Sequence, residues 1–116
     1  MLKFDSTEKV IAMLLADDVL AKSVNGNIRP VVAKYGTTIP YIVVSTENAS
    51  VNRMKFGAFS VKATVLVTIV TNSFGDLRRM VDRMCAKDGK EFDVEGYKED
   101  YGEDNYVAQL TINLEY

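Results

Sequence analysis

The stretch FSVKATVLVTIVT (Phe59 to Thr71) restricts this chain more than any other part of it. Phe59, Val61, Ala63, Val65, Val67 and Ile69 occupy one side of a period-two pattern, and Ser60, Lys62, Thr64, Leu66, Thr68 and Val70 the other. Side chains alternate across an extended backbone, so the pattern predicts a long strand with one wholly apolar face. The second face begins polar and ends apolar, which predicts that one end is solvated and the other covered.

The other segments supply partners for that face. In DSTEKVIAMLLADD, Asp5 is placed to cap a helix over about Ser6 to Ala16, with Glu8 reaching back, and Val10, Ile11, Leu14 and Leu15 form its apolar side. DDVLAKSVNG reads as a second short turn capped by Asp18 and ended by Asn25 and Gly26. After Pro40, the β-branched run YIVVS predicts a strand from about Tyr41, since a proline opening a strand forfeits no ladder bond. SFGDLRRMVDRMCAKDG carries a cap at Ser73, apolar Leu77, Met80, Val81 and Met84 at helical spacing, and a stop at Gly89. The C-terminal segment predicts a hairpin with its turn over Gly102 to Asn105, Ala108, Leu110, Ile112 and Leu114 facing the core.

Between the two central strands, TENASVNRMKFG is too long for a tight hairpin turn and reads as a projecting loop, Glu47 to Gly57, carrying Val51, Met54 and Phe56 among polar residues. Two accounts of those apolar side chains stand at this point: a neighbouring chain covers them, or they fold back on the domain. The whole order predicts a single α+β domain over residues 1–116, a mainly antiparallel or mixed sheet of about four to five strands with two helices on one face.

Candidate chemistry is sparse. A net charge of −2 argues against a domain built to grip nucleic acid. One cysteine and no histidine rule out an internal disulfide and a Cys/His metal cluster, and a cytoplasmic setting suits such a chain. The run VIAMLL is too short to span a membrane, and Asp17 and Asp18 end it, so neither membrane insertion nor export is expected. Cys85 follows Met84 near a helix end with no base to activate it and reads as a buried or half-buried packing residue. Glu99, Asp100, Glu103 and Asp104 lack calcium-loop spacing and read as a solvated turn. The scattered glycines Gly57, Gly75, Gly89, Gly96 and Gly102 form no phosphate-binding fingerprint. Arg78, Arg79 and Arg83, partly neutralised by Asp82, suit a solvated helix face or an ion pair across a subunit boundary. No catalytic residue, cofactor or metal is expected, and the chain does not read as an enzyme.

Residues 18 to 45 resemble the N-terminal signature of the small tail-completion or tail-terminator proteins of long-tailed phages and prophages. The matching positions are Gly26, Ile28 and Pro30 of a G-x-I-x-P segment, then Pro40, Tyr41, Ile42 and Val43 where the following loop closes. Arg29 stands where the family more often has an apolar or aromatic residue. The resemblance implies a structural role: a homo-oligomeric ring, typically a hexamer, at the head-proximal end of the tail tube, meeting the tube protein on one side and the head–tail connector on the other. DNA would pass through such a ring without sequence-specific contact, and the protein would reside in the host cytoplasm during assembly and then in the virion tail. A head–tail connector or neck protein is the nearest alternative, and a small intracellular ligand-binding domain the alternative from another class. On the ring reading, Pro30 and Pro40 frame a loop, Val31 to Thr38, held ready to meet a neighbour; on the plainer one they end an edge and start a strand. The projecting loop then supplies a subunit contact with Val51, Met54 and Phe56 as apolar anchors and Arg53 and Lys55 as rim charges.

Overall fold

The computed structural model describes residues 2–32, 38–102 and 104–116. Three helices and five strands follow in the order α1 (Ser6–Leu15), α2 (Asp18–Ser23), β1 (Ile28–Pro30), β2 (Tyr41–Arg53), β3 (Phe59–Thr71), α3 (Phe74–Cys85), β4 (Asp93–Tyr101) and β5 (Tyr106–Glu115). The strands make one mixed sheet in the order β1-β2-β3-β5-β4, in which only β1 and β2 run parallel. This is the expected α+β architecture, with one helix more than the sequence reading gave.

The alternation in Phe59–Thr71 places β3 at the centre. Val61, Ala63, Val65, Val67 and Ile69 are buried beneath the helices, where they meet Ile42 and Val44 of β2 and Ala108, Leu110, Ile112 and Leu114 of β5. On the open face Lys62 is exposed, Leu66 half-buried and Val70 buried, as the graded pattern predicted. Phe59, the first residue of the stripe, stays partly exposed beside Lys9 of α1 and Tyr116.

The helices depart from expectation in detail. Val10 and Leu14 are buried, but Leu15, about 100° further round the helix, is exposed. Asp5 occupies the cap position of α1 without a side-chain cap bond; its N–H donates to the Tyr116 hydroxyl, which donates to the Lys3 carbonyl. The short turn is a true helix, and its cap is Asp17 rather than Asp18. Ser73 does cap α3, its Oγ accepting from the Asp76 N–H, and Leu77, Met80, Val81 and Met84 point into the core. Cys85 is exposed, correcting the packing role expected for it. One residue beyond Met84 rotates its side chain off the buried stripe, and α3 ends there.

The two prolines flank the parallel pair. Pro30 ends β1, Pro40 precedes β2 through a cis Ile39–Pro40 bond, and Ile28, Arg29 and Pro30 align with Ile42, Val43 and Val44. Ile28 is a core residue and Gly26 takes a φ of 73°, which glycine adopts without strain. Most of the expected loop Val31 to Thr38 falls on residues 33–37, outside the described residues.

The largest correction concerns the segment after the YIVVS run. Instead of a loop over Glu47 to Gly57, β2 continues to Arg53 and pairs with β3 along its whole length, interrupted only by a register shift between Thr46 and Asn48. Its sequence there is mostly polar because little covers it, so the strand rests on the backbone ladder rather than on an apolar stripe. Beside the shift, the Thr46 hydroxyl bonds those of Ser6 and Thr7, tying α1 to β2.

Candidate functional site

β5 ends on β3 at the Lys62–Glu115 pair, with Tyr116 adding two backbone bonds to Val61. Beyond that point β2 and β3 continue as a two-strand ribbon through the Asn52–Ser60 and Arg53–Phe59 pairs. The Met54 N–H donates to the Ala58 carbonyl and closes the turn, Lys55–Gly57, at the end of a body measuring 53 × 28 × 24 Å.

The turn chemistry is unusual. Phe56 and Gly57 have φ values of 70° and 84°, successive positive angles of the kind a tight type I′ hairpin requires. Glycine fits the second position and asparagine or aspartate usually fills the first, because a bulky side chain crowds its own backbone there. Here the first position holds phenylalanine, and its ring is fully exposed. A strained backbone ordinarily costs about 1–3 kcal/mol, and this ring recovers none of it within its own chain.

Of the expected contact residues, the fold gathers Arg53, Met54, Lys55 and Phe56 at the tip. Met54 is 55% exposed, and neither Arg53 nor Lys55 makes an ion pair among the described residues. Val51 is set further back, half-buried opposite Val61, and is part of the ribbon's stem. Gly26, Ile28, Pro30, Pro40 and Tyr41 build the β1–β2 junction, distant along the strand from this tip. That junction has its own strained apolar residue: Val31 takes a φ of 65° and is exposed beside Val32.

At the opposite end of the sheet lies a cluster that sequence reasoning missed. Tyr106 makes edge-to-face contacts with Phe74 at 5.7 Å and Tyr101 at 5.5 Å. Phe74 remains 44% exposed and Tyr101 59%. Glu99 beside them is no solvated turn residue: it accepts from Arg78 at 3.1 Å, from the Tyr101 hydroxyl at 2.9 Å and from the Tyr97 hydroxyl. The hydroxyl donations and the Arg78 charge outweigh partial desolvation and hold the Glu99 carboxyl below its usual range. Burial, then the Glu99 carboxylate, push the Tyr97 hydroxyl up to about 12, keeping it a donor. Asp100 and Asp104 are exposed and make no ion pair among the described residues; Glu103 lies outside them. The recurrence of Tyr97, Tyr101 and Tyr106 in YKEDYGEDNY was the available signal.

The α3 arginines all find partners within the chain. Arg78 pairs with Glu99 and Asp82, Arg79 with Asp76, and Arg83 with Asp17. Asp17 also takes Lys87 at 2.9 Å and the N–H groups of Val19 and Leu20. Burial raises its pKa, but those bonds overcome it and hold the carboxyl at about 2. Among the described residues no group of three or more His, Cys, Asp or Glu side chains is placed to hold a metal ion, and no helix is long and apolar enough to cross a membrane.

No protein-family model matches the sequence, and a search of curated proteins gives no match. The fold is nonetheless shared: a chain of the virion of a native gene transfer agent particle superposes with a TM-score of 0.69 at 16% identity, covering 89% of this chain and 88% of the other.

Proposed function

We propose that this chain is a structural component of a phage-like particle, a tail terminator that assembles as a ring, typically of six copies, at the head-proximal end of the tail tube. The observation that carries this reading is the hairpin tip, where a fully exposed phenylalanine sits in a backbone conformation unfavourable to it, close in sequence to two cations, Arg53 and Lys55, that make no ion pair among the described residues. A monomer gains nothing from that arrangement, whereas a neighbour that buries Met54 and Phe56 does. The fold it shares with a gene transfer agent virion chain and the proline-framed segment Gly26 to Val43 supply the context. A closed ring of identical chains needs two different complementary surfaces on each copy, and the tip supplies one. Partners on this reading are further copies of the chain, the tube protein and the connector, with the DNA passing through the ring. The role is one of assembly rather than catalysis.

Met54→Asp combined with Phe56→Asp tests it. Both side chains are exposed, so the variant is expected to fold with an unchanged circular dichroism spectrum and a melting temperature no lower than that of the wild type, while light scattering and negative-stain images show rings for the wild type and monomers for the variant. Rings of unchanged mass from the variant would show that the tip is not the contact.

A further inference from the structure

Resting on the ring reading, we infer that the surface receiving the hairpin tip is the aromatic and acidic end of the next copy, formed by Phe74, Tyr101 and Tyr106 with Asp100 and Asp104. Three observations lead there. The first is placement. β3 runs from Phe59 at the tip to Thr71, and Thr71 pairs with Tyr106, so the two surfaces stand roughly 40 Å apart at opposite ends of the same strand. A contact between them is necessarily head-to-tail, the kind that closes rings.

The second is charge. Between Asn48 and Gly75 the chain carries Arg53, Lys55 and Lys62 and no carboxylate at all; from Glu99 to Asp104, at the far end, it carries four carboxylates and no lysine or arginine. The basic ribbon and the acidic β4 segment also lie towards opposite edges of the sheet. At the two candidate surfaces the charges without an ion-pair partner among the described residues are of opposite sign, Arg53 and Lys55 at one and Asp100 and Asp104 at the other. That pattern favours tip against far end and opposes tip against tip.

The third is shape and side-chain chemistry. Tyr101, Tyr106, Asn72, Gly102, Asp104 and Asn105 line an open cleft of about 430 Å³. The outer rings of the triad are already braced, Phe74 by Tyr106 and Tyr101 by both Tyr106 and the Glu99 carboxylate, so little freedom is lost when they are covered. Phe56 adds a further edge-to-face partner, Met54 a sulfur against an aromatic edge, and Arg53 a cation for a tyrosine face.

Charge reversal separates this inference from the ring reading beneath it. Light scattering is measured over a wide concentration range for the wild type, for Arg53→Asp with Lys55→Asp, for Asp100→Lys with Asp104→Lys, and for all four changes in one chain. All the replaced side chains are exposed, and melting curves verify folding. Each pair of reversals is expected to raise the concentration of half-assembly by about tenfold or more, because like charges then face each other, and the fourfold variant is expected to recover assembly. Loss of assembly on reversing the tip alone, with the far-end variant behaving as wild type, overturns the assigned acceptor and leaves the ring reading standing. Two reversals without effect on rings that the wild type does form overturn the assigned contact and leave the ring reading standing, whereas a wild type that remains monomeric into the millimolar range overturns both.

Discussion

The Asp17 clasp and the hairpin tip both concentrate charge beside apolar surface, and they resolve it in opposite ways. At the clasp a carboxylate with a side-chain exposure of 1% receives the N–H groups of Val19 and Leu20, Arg83 at 2.7 Å and Lys87 at 2.9 Å, joining the start of α2 to the end of α3. Its polar demands are met inside the chain. At the tip Arg53 and Lys55 have no ion-pair partner among the described residues, Phe56 has no cover, and the backbone is held at an angle its residue disfavours. Internal satisfaction marks the part of the molecule that keeps the monomer folded; on the proposed reading, unmet demand marks the part that a neighbour covers. Substitutions at the first should lower stability and leave intact chains able to assemble, and substitutions at the second should weaken assembly without lowering stability.

The largest stability effect is expected for Asp17→Ala. Removing the carboxylate deprives α2 of its cap, takes the anion from between Lys87 and Arg83, and leaves the largely buried Lys87 with only its longer 3.6 Å pair to the exposed Glu91. Breaking such a pair from one side costs about 3 kcal/mol, readable as a lower urea midpoint with an unchanged slope. A loss under about 1 kcal/mol would show that the clasp is as dispensable as a surface pair.

Acid should reach the same site more gently. The carboxyl titrates at about 2 in the folded chain against 3.8 for an unperturbed aspartate, so its folded pKa is depressed. Stability from it is fully present above pH 4 and is lost as the pH falls from about 4 to about 2, amounting to roughly 2 kcal/mol. Urea titrations across that window should show the decline in the wild type and a shallower one in Asp17→Asn. Parallel declines in the two proteins would place the acid-sensitive group elsewhere.

The same contrast explains what could be read from the sequence. The core was legible because its signals are local and redundant: the alternation of Phe59 to Thr71, the 3.6-residue spacing of Leu77, Met80, Val81 and Met84, and the Ser73 cap each point one way. The continuation of β2 to Arg53 was not, since TENASVNR has no apolar rhythm and its pairing is set by β3 rather than by its own side chains. The tip residues were visible as apolar side chains in polar surroundings, but the strain at Phe56 depends on two backbone angles that no residue pattern states. The far-end triad required Phe74, Tyr101 and Tyr106 to meet across α3, β4 and β5, a tertiary fact. Asp17 escaped notice for a similar reason, its Arg83 partner lying 66 residues away. Cys85 shows how sharply periodicity must be applied, one position separating the buried Met84 from an exposed thiol.

The central claim is that the tip is kept for a neighbour against the interest of the isolated chain, and Phe56→Asn tests it most directly. Asparagine tolerates the positive φ that phenylalanine resists, so the variant should unfold at higher urea, by about 1 kcal/mol, while its assembly by light scattering weakens. A variant that is less stable than the wild type, or that assembles equally well, would contradict the account.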